Sequence, residues 1–159
     1  MKAGTISVYI HIPFCRRKCA YCDFNSYAGR EHLFADYVKA LAGEIRSAPP
    51  GLLAETIYIG GGTPTLLPIS LLAEILNACR EAFNVGEEAE ITVEANPGTL
   101  GLEGLGALRS LGVNRLSLGV QSFQDSWLRL LGRIHTAQEA EEAYRLARRA
   151  GFTNVNIDL

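Results

Sequence analysis

Apolar and polar residues alternate with a period of two in several short stretches. Over residues 6–12, Ile6, Val8, Ile10 and Ile12 share one face, and Ser7, Tyr9 and His11 share the other. Over 90–95, Ile91 and Val93 oppose Thr92 and Glu94. Over 115–121, Leu116, Leu118 and Val120 oppose Ser117, Gly119 and Gln121. Over 153–159, Val155, Ile157 and Leu159 oppose Asn156 and Asp158. A period of two is that of a half-buried strand, so these stretches, with 56–59, are predicted strands. Between them the period becomes helical. Leu33, Phe34, Tyr37, Val38, Leu41 and Ile45 form one stripe; Leu72, Ile75, Leu76, Cys79 and Phe83 form a second; Leu102, Leu105, Leu108 and Leu111 form a third. Residues 125–131 and 137–150 complete the predicted helices. Gly112 and Gly151 stand where helices end.

Strands alternating with helices predict parallel strands joined by right-handed crossovers. An antiparallel sheet with one wet face is the alternative, but these connections are long enough for helical crossovers. The polar strand faces predict a curved sheet or barrel whose inside holds a ligand, because a lumen filled by packing alone is lined with Val, Ile and Leu. His11, Glu94, Gln121 and Asp158 fall late in their strands, at the end where such folds carry their sites. The chain has 159 residues and its last one, Leu159, falls on a strand. A closed barrel takes roughly 250 residues. The expectation is therefore that residues 1–159 are the N-terminal part of a barrel domain, with the remaining strands and a C-terminal domain outside them.

Composition narrows the function. Fifteen Lys and Arg against 17 Asp and Glu give a net charge of -2, which offers no polyanion-binding surface, so no nucleic-acid partner is expected. A hydrophobic content of 48% excludes a disordered chain. No apolar run approaches the roughly 18 residues of a transmembrane segment. The start, Met1-Lys2-Ala3-Gly4-Thr5, lacks the apolar core of a secretory signal. A cytoplasmic protein is expected, and cysteines there point to metal or redox chemistry rather than disulfides.

Cys15-Arg16-Arg17-Lys18-Cys19-Ala20-Tyr21-Cys22 follows the first strand. Three thiols spaced x3 and x2 can converge on one metal centre. An iron–sulfur cluster held by three cysteines keeps one iron open. A zinc site would need His11 or another group as fourth ligand. Cys79 lies on an apolar stripe and reads as core, as does Trp127. Gly60-Gly61-Gly62-Thr63-Pro64-Thr65 follows the second strand. Its glycines permit either a tight turn or close approach to a ligand. It is not a phosphate-binding P-loop, since no Gly-Lys-Ser/Thr follows.

Residues 15–22 resemble the CxxxCxxC signature of the radical S-adenosylmethionine (SAM) enzymes, with Tyr21 before the last cysteine. Within that group the chain resembles the oxygen-independent coproporphyrinogen III oxidase family. Residues 9–15 (Tyr-Ile-His-Ile-Pro-Phe-Cys), 93–99 (Val-Glu-Ala-Asn-Pro-Gly-Thr), 119–123 (Gly-Val-Gln-Ser-Phe), 131–135 (Leu-Gly-Arg-Ile-His) and 156–159 (Asn-Ile-Asp-Leu) are similar to its motifs, in order. The resemblance implies an α/β fold, a partial (β/α)6 TIM-like barrel truncated after about its fifth strand. It implies a [4Fe-4S] cluster on Cys15, Cys19 and Cys22, with S-adenosyl-L-methionine on the fourth iron, reduced by an electron donor and cleaved to a deoxyadenosyl radical. It implies SAM contacts from Tyr9, Gly61, Gly62, Thr63, Glu94, Gln121, Arg133 and Asp158, with Tyr21 on the adenine side. Arg133 has a second reading as a cation capping the 125–131 helix. His11 receives no role, and no catalytic residue is assigned.

The oxidases of this family carry a further cysteine two positions after the third. Here that position is Phe24, in Cys22-Asp23-Phe24-Asn25-Ser26. This form resembles the family's heme-chaperone branch, which implies heme or a porphyrin as cargo and recipient hemoproteins of the respiratory chain as partners. The alternative is the oxidase itself, which decarboxylates coproporphyrinogen III to protoporphyrinogen IX. A third alternative is a zinc-stabilised binding module. No residue of the chain reads as a heme site.

Overall fold

A computed structural model describes residues 4–159. The chain runs β1 (Thr5–Ile12), β2 (Phe14–Cys15), β3 (Tyr27–Ala28), α1 (Phe34–Arg46), β4 (Leu53–Gly61), α2 (Ile69–Ala82), β5 (Asn84–Ala95), α3 (Leu102–Ser110), β6 (Arg115–Gly119), α4 (Asp125–Leu131), α5 (Ala137–Arg149) and β7 (Asn154–Asp158). Strands β1, β4, β5, β6 and β7 form one sheet in that order, and every neighbouring pair is parallel. The antiparallel alternative is therefore excluded. Sequential parallel order, with a helix in each crossover, is the arrangement of part of a (β/α) barrel.

One core joins the sheet to its helices. Ile10, Ile12, Ile57, Ile59, Val93, Leu116 and Leu118 point from the strands into Val38, Leu72, Ile75, Leu76, Cys79, Leu105 and Leu108. Helix α1 packs on α2, α2 on α3 and α3 on α5, so they line one side of the sheet. Cys79 is fully buried in that core. Gly112 and Gly151 follow their helices with φ of 89° and 91°, the left-handed conformation that ends a helix without a Cβ penalty. Thr136 and Glu139 close a reciprocal capping box on α5.

Several expectations are corrected. Trp127 is 53% exposed and packs in no core. Leu33 precedes α1 and is exposed, so the first stripe begins at Phe34. Strands β4 and β5 extend well beyond 56–59 and 90–95, because Leu53 and Ala54 pair with Asn84 and Val85 ahead of an irregularity in register. Strand β6 ends at Gly119 rather than at residue 121. There Gln121 turns to a φ of 69° and donates its N–H to the Asp158 carbonyl at 2.7 Å. The two-residue ladder of β2 on β3 went unpredicted, since two residues carry no period.

Leu72 has no exposed surface and fills the α2–sheet contact, whereas Leu130 on α4 is 68% exposed. Leu72→Ala is expected to cost about 2–5 kcal/mol through lost burial and a residual cavity. Leu130→Ala should stay within about 0.5 kcal/mol of the parent. Urea unfolding of the two variants checks the contrast.

Candidate functional site

The sheet face away from the helices is polar, and at its carboxyl end lies a cavity of about 290 Å³. Cys15, Cys19, Cys22, Tyr21, Gly61, Gly62, Thr63, Glu94, Gln121, Arg133 and Asp158 all border it. Of the expected residues only Tyr9 does not. Tyr9 stands two positions before His11 on β1, one pleat further from the carboxyl end, where its ring stacks 6.0 Å from Tyr58.

The cysteine loop is tied down at several points. The β2–β3 ladder brackets it, and the Tyr27 N–H donates to the Pro13 carbonyl at 2.7 Å. The Ala20 N–H donates to the Leu131 carbonyl at 3.1 Å, joining the loop to the end of α4. His11 Nε2 donates to the Asn25 carbonyl at 2.8 Å, and its Nδ1 meets the Tyr9 hydroxyl at 3.2 Å. Both ring nitrogens are thus engaged, so His11 is a fastener of the loop and not a fourth zinc ligand. Cys15 is buried, and Cys19 and Cys22 are half-buried. Among the described residues no three His, Cys, Asp or Glu side chains are grouped to hold a single ion. The three thiols stand instead around the wall of one cavity.

The glycine loop presses against the cysteine loop. The Gly62 N–H donates to the Ile12 carbonyl at 2.8 Å, and the Thr63 N–H to the Phe14 carbonyl at 2.7 Å. A Cβ on Gly61, whose φ is 118°, would lie 2.7 Å from the His11 ring. A Cβ on Gly62 would lie 2.5 Å from the Phe14 carbonyl oxygen and 2.9 Å from Cys15 Sγ. The close approach that these glycines permit is therefore, first, to the chain's own cysteine loop.

Glu94 anchors this arrangement from β5. Its carboxylate accepts from the Tyr58 hydroxyl at 2.7 Å and from the Gly61 N–H at 2.9 Å. Burial, and then the Glu94 hydrogen bond and charge, push the Tyr58 hydroxyl well above its ordinary pKa, so it remains a donor. On the far wall, Asp158 accepts from Ser117 at 3.1 Å and from Asn156 at 2.6 Å. Arg133 reaches in from beyond α4. Its Nη2 donates to Asn96 Oδ1 at 2.5 Å and to the Gly119 carbonyl, and its Nη1 lies 3.5 Å from Cys19 Sγ. Its Nε is buried without a partner. The side chain serves the cavity and does not cap α4.

Arg17, Phe24, Asn96, Ser117 and Gly119 also border the cavity and went unnamed as site residues. Ser117 was findable, because it shares the inward face of its strand with Gly119 and pairs beside Glu94. Asn96, within an Asn-Pro-Gly turn, carries no period; it falls inside the 93–99 motif, but nothing local to it points to a role at the site.

A family model described as the radical SAM superfamily matches residues 9–159. The chain is 43% identical over 163 residues to the heme chaperone HemW of Escherichia coli strain K12, across all of this chain and 43% of that protein. It is 40% identical over 166 residues to an oxygen-independent coproporphyrinogen III oxidase of Bradyrhizobium diazoefficiens, across 98% of this chain and 36% of that one. Among solved structures, coproporphyrinogen III oxidase (HemN) from Escherichia coli, described as a radical SAM enzyme, superposes with a TM-score of 0.90 at 37% identity, across 99% of this chain and 37% of that one. The chain spans about two fifths of the length of the curated relatives it matches.

His135, two residues after Arg133, is buried with Nε2 against the Val120 carbonyl at 3.1 Å and Nδ1 unpartnered. Burial, then the charge of Arg133, lowers its pKa from the ordinary 6.5, while Val120 and Glu139 oppose the shift. With the folded pKa below the unfolded one, the unfolded chain takes up the proton first as pH falls. Stability should therefore decline as pH drops below 6.5, and stop declining once the folded imidazole also protonates. His135→Asn should flatten this decline in urea unfolding series between neutral and mildly acidic pH.

Proposed function

The chain belongs to the radical SAM superfamily, and on that premise we propose that it holds a [4Fe-4S] cluster on Cys15, Cys19 and Cys22 and serves as part of a heme chaperone. The observation that carries the cofactor reading is the shared cavity, where three thiols, the glycine loop and the polar strand ends meet. The donor set fits the group. A cluster takes one thiolate per iron, so its ligands stand around it rather than converge on a point. Three cysteines without a fourth protein ligand leave one iron for the amino and carboxylate groups of S-adenosyl-L-methionine.

The same wall fits the rest of that molecule. Glu94 and Asp158 offer carboxylates to its cationic groups, and the guanidinium of Arg133, which borders the same cavity, offers a positive charge to an anionic one. Gly61, Gly62, Thr63 and Gln121 offer backbone and side-chain polar atoms beside them, and Tyr21 offers a ring face at the cavity edge. Tyr9 is proposed as a contact only at the inner end of the site, next to Tyr58. When bound, the cluster supplies an electron to the sulfonium of S-adenosylmethionine, so an electron donor is a required partner. The cytoplasm, where thiols stay reduced, is the proposed working place. Among the described residues no helix is long and apolar enough to cross a membrane.

Phe24 favours the chaperone branch. It borders the cavity and is 64% exposed, at the position where the oxidase pattern has a cysteine. A phenyl ring packs but cannot ligate iron or carry a thiol proton. The similarity to the chaperone of Escherichia coli supports the same branch. On this reading the full-length protein binds heme as cargo and passes it to hemoproteins of the respiratory chain. The oxidase is the second reading, favoured by the similarity to the Bradyrhizobium enzyme and the superposition on HemN.

Glu94→Gln keeps the shape of the side chain and removes its charge. It should retain the cluster and weaken S-adenosylmethionine binding tenfold or more, since a hydrogen bond to a charged group contributes about 1.5–3 kcal/mol. Calorimetry on the anaerobic protein reads this, and unchanged affinity removes Glu94 from the site.

The branch is tested on the full-length protein with cluster, S-adenosylmethionine, reductant and coproporphyrinogen III under anaerobic conditions. Protoporphyrin fluorescence after oxidation is read alongside a heme titration. Heme binding without turnover is expected. Sustained turnover installs the oxidase reading, and stoichiometric zinc in place of iron installs the binding module.

A further inference from the structure

We propose that Asn96 is a positioning residue that orients one hydrogen bond onto each of the first two cysteine ligands; this rests on the cluster reading above. Its amide lies at the centre of a chain of side chains running from Cys15 to Cys19. Asn96 Nδ2 donates to Thr63 Oγ1 at 2.8 Å, and Thr63 Oγ1 lies 3.7 Å from Cys15 Sγ. Asn96 Oδ1 accepts from Arg133 Nη2 at 2.5 Å, and Arg133 Nη1 lies 3.5 Å from Cys19 Sγ.

The direction of each bond follows from the donors. A guanidinium has donors only, so the amide oxygen must face Arg133. The amide NH2 then faces Thr63 and occupies a lone pair of its hydroxyl oxygen. The one hydroxyl proton of Thr63 is thereby free to point at Cys15. At the other end the same contact holds Arg133 with its second amino group on Cys19. Only a side chain with donor and acceptor on one planar head does both.

Two further features hold that head in place. The backbone of Asn96 is locked by its turn: the Thr99 N–H donates to the Asn96 carbonyl at 3.1 Å and the Thr99 hydroxyl donates to it at 2.6 Å. Gly98 turns there with a φ of 80°. Across the cavity, a Cβ on Gly119 would lie 2.9 Å from Asn96 Oδ1 and 3.4 Å from Arg133 Nη2, so this glycine leaves the space in which the pair meets.

Hydrogen bonds to the sulfurs are among the factors that set the reduction potential of an iron–sulfur cluster. They favour the reduced state, which carries more negative charge. Asn96→Leu removes both contacts of the amide. Asn96→Asp keeps its shape but presents only acceptors, which turns the Thr63 proton away from Cys15 and adds a negative charge beside Arg133. Both should lower the potential.

The test is an anaerobic redox titration of the full-length holoprotein, followed by electron paramagnetic resonance after iron and sulfide assay. In both variants reduction should become about tenfold less favourable, about 59 mV for a one-electron couple. Asn96→Asp should keep the parent's thermal midpoint. A folded variant that loads less iron than the parent also supports the positioning role. An unchanged potential in both loaded variants overturns it, as does loss of the cluster together with the fold in both. A parent protein that takes no four-iron cluster overturns the cofactor reading itself, and the metal assay separates that result from the others.

Discussion

The backbone of the glycine loop lies directly on the cysteine loop, and most of the site depends on that contact. The N–H groups of Gly62 and Thr63 reach the carbonyls of Ile12 and Phe14, with no side chain between the two segments. Any Cβ at residue 61 or 62 would strike His11, Phe14 or Cys15. The end of β4 can therefore set the height and direction of the chain as it leaves β1. Cys15 sits at the start of that departure, so its sulfur is placed by backbone bonds rather than by its own rotamer alone. A ligand set on a rigid strand end is held more precisely than one on a free loop.

Charge is placed by the same economy of contacts. Glu94 spends both oxygens on Tyr58 and Gly61, and so ties the third strand of the sheet to the glycine loop. Arg133 arrives from a different crossover and closes the other side of the cavity on Gly119 and Asn96. Buried polar groups are costly unless partnered, so a polar barrel interior has to be a connected network. Here hydrogen bonds join Thr63, Asn96, Arg133 and Gly119 on one side of the cavity, Tyr58, Glu94 and Gly61 on another, and Ser117, Asn156 and Asp158 on a third.

The strand ends and the glycine loop belong to the barrel frame, which superposes on HemN with a TM-score of 0.90. Phe24, at the position where the oxidase resemblance calls for a cysteine, lies in the cysteine loop, outside every strand of the sheet. A change there alters what borders the cavity without touching the frame. Relatives named as chaperone and as oxidase are accordingly similar to the chain at 43% and 40% identity.

Strand and helix identity, the parallel sheet and the inward placement of Glu94 and Asp158 were legible along the chain, because side-chain periodicity is a local property that burial imposes residue by residue. The three cysteines and the glycine loop were legible for another reason: thiols and missing side chains are chemically distinct in one dimension. What tertiary structure decided were the meetings. His11 became a fastener because Asn25 returns to it across the loop. The glycines at 61 and 62 turned out to be required by the cysteine loop, which no local pattern states. Tyr9 fell one pleat short of the cavity, and Gln121 left its strand for a left-handed turn. Asn96 joined two sulfurs through residues 33 and 37 positions away. Such contacts depend on strand register and loop height, which are set by packing between distant segments and leave no period in the sequence.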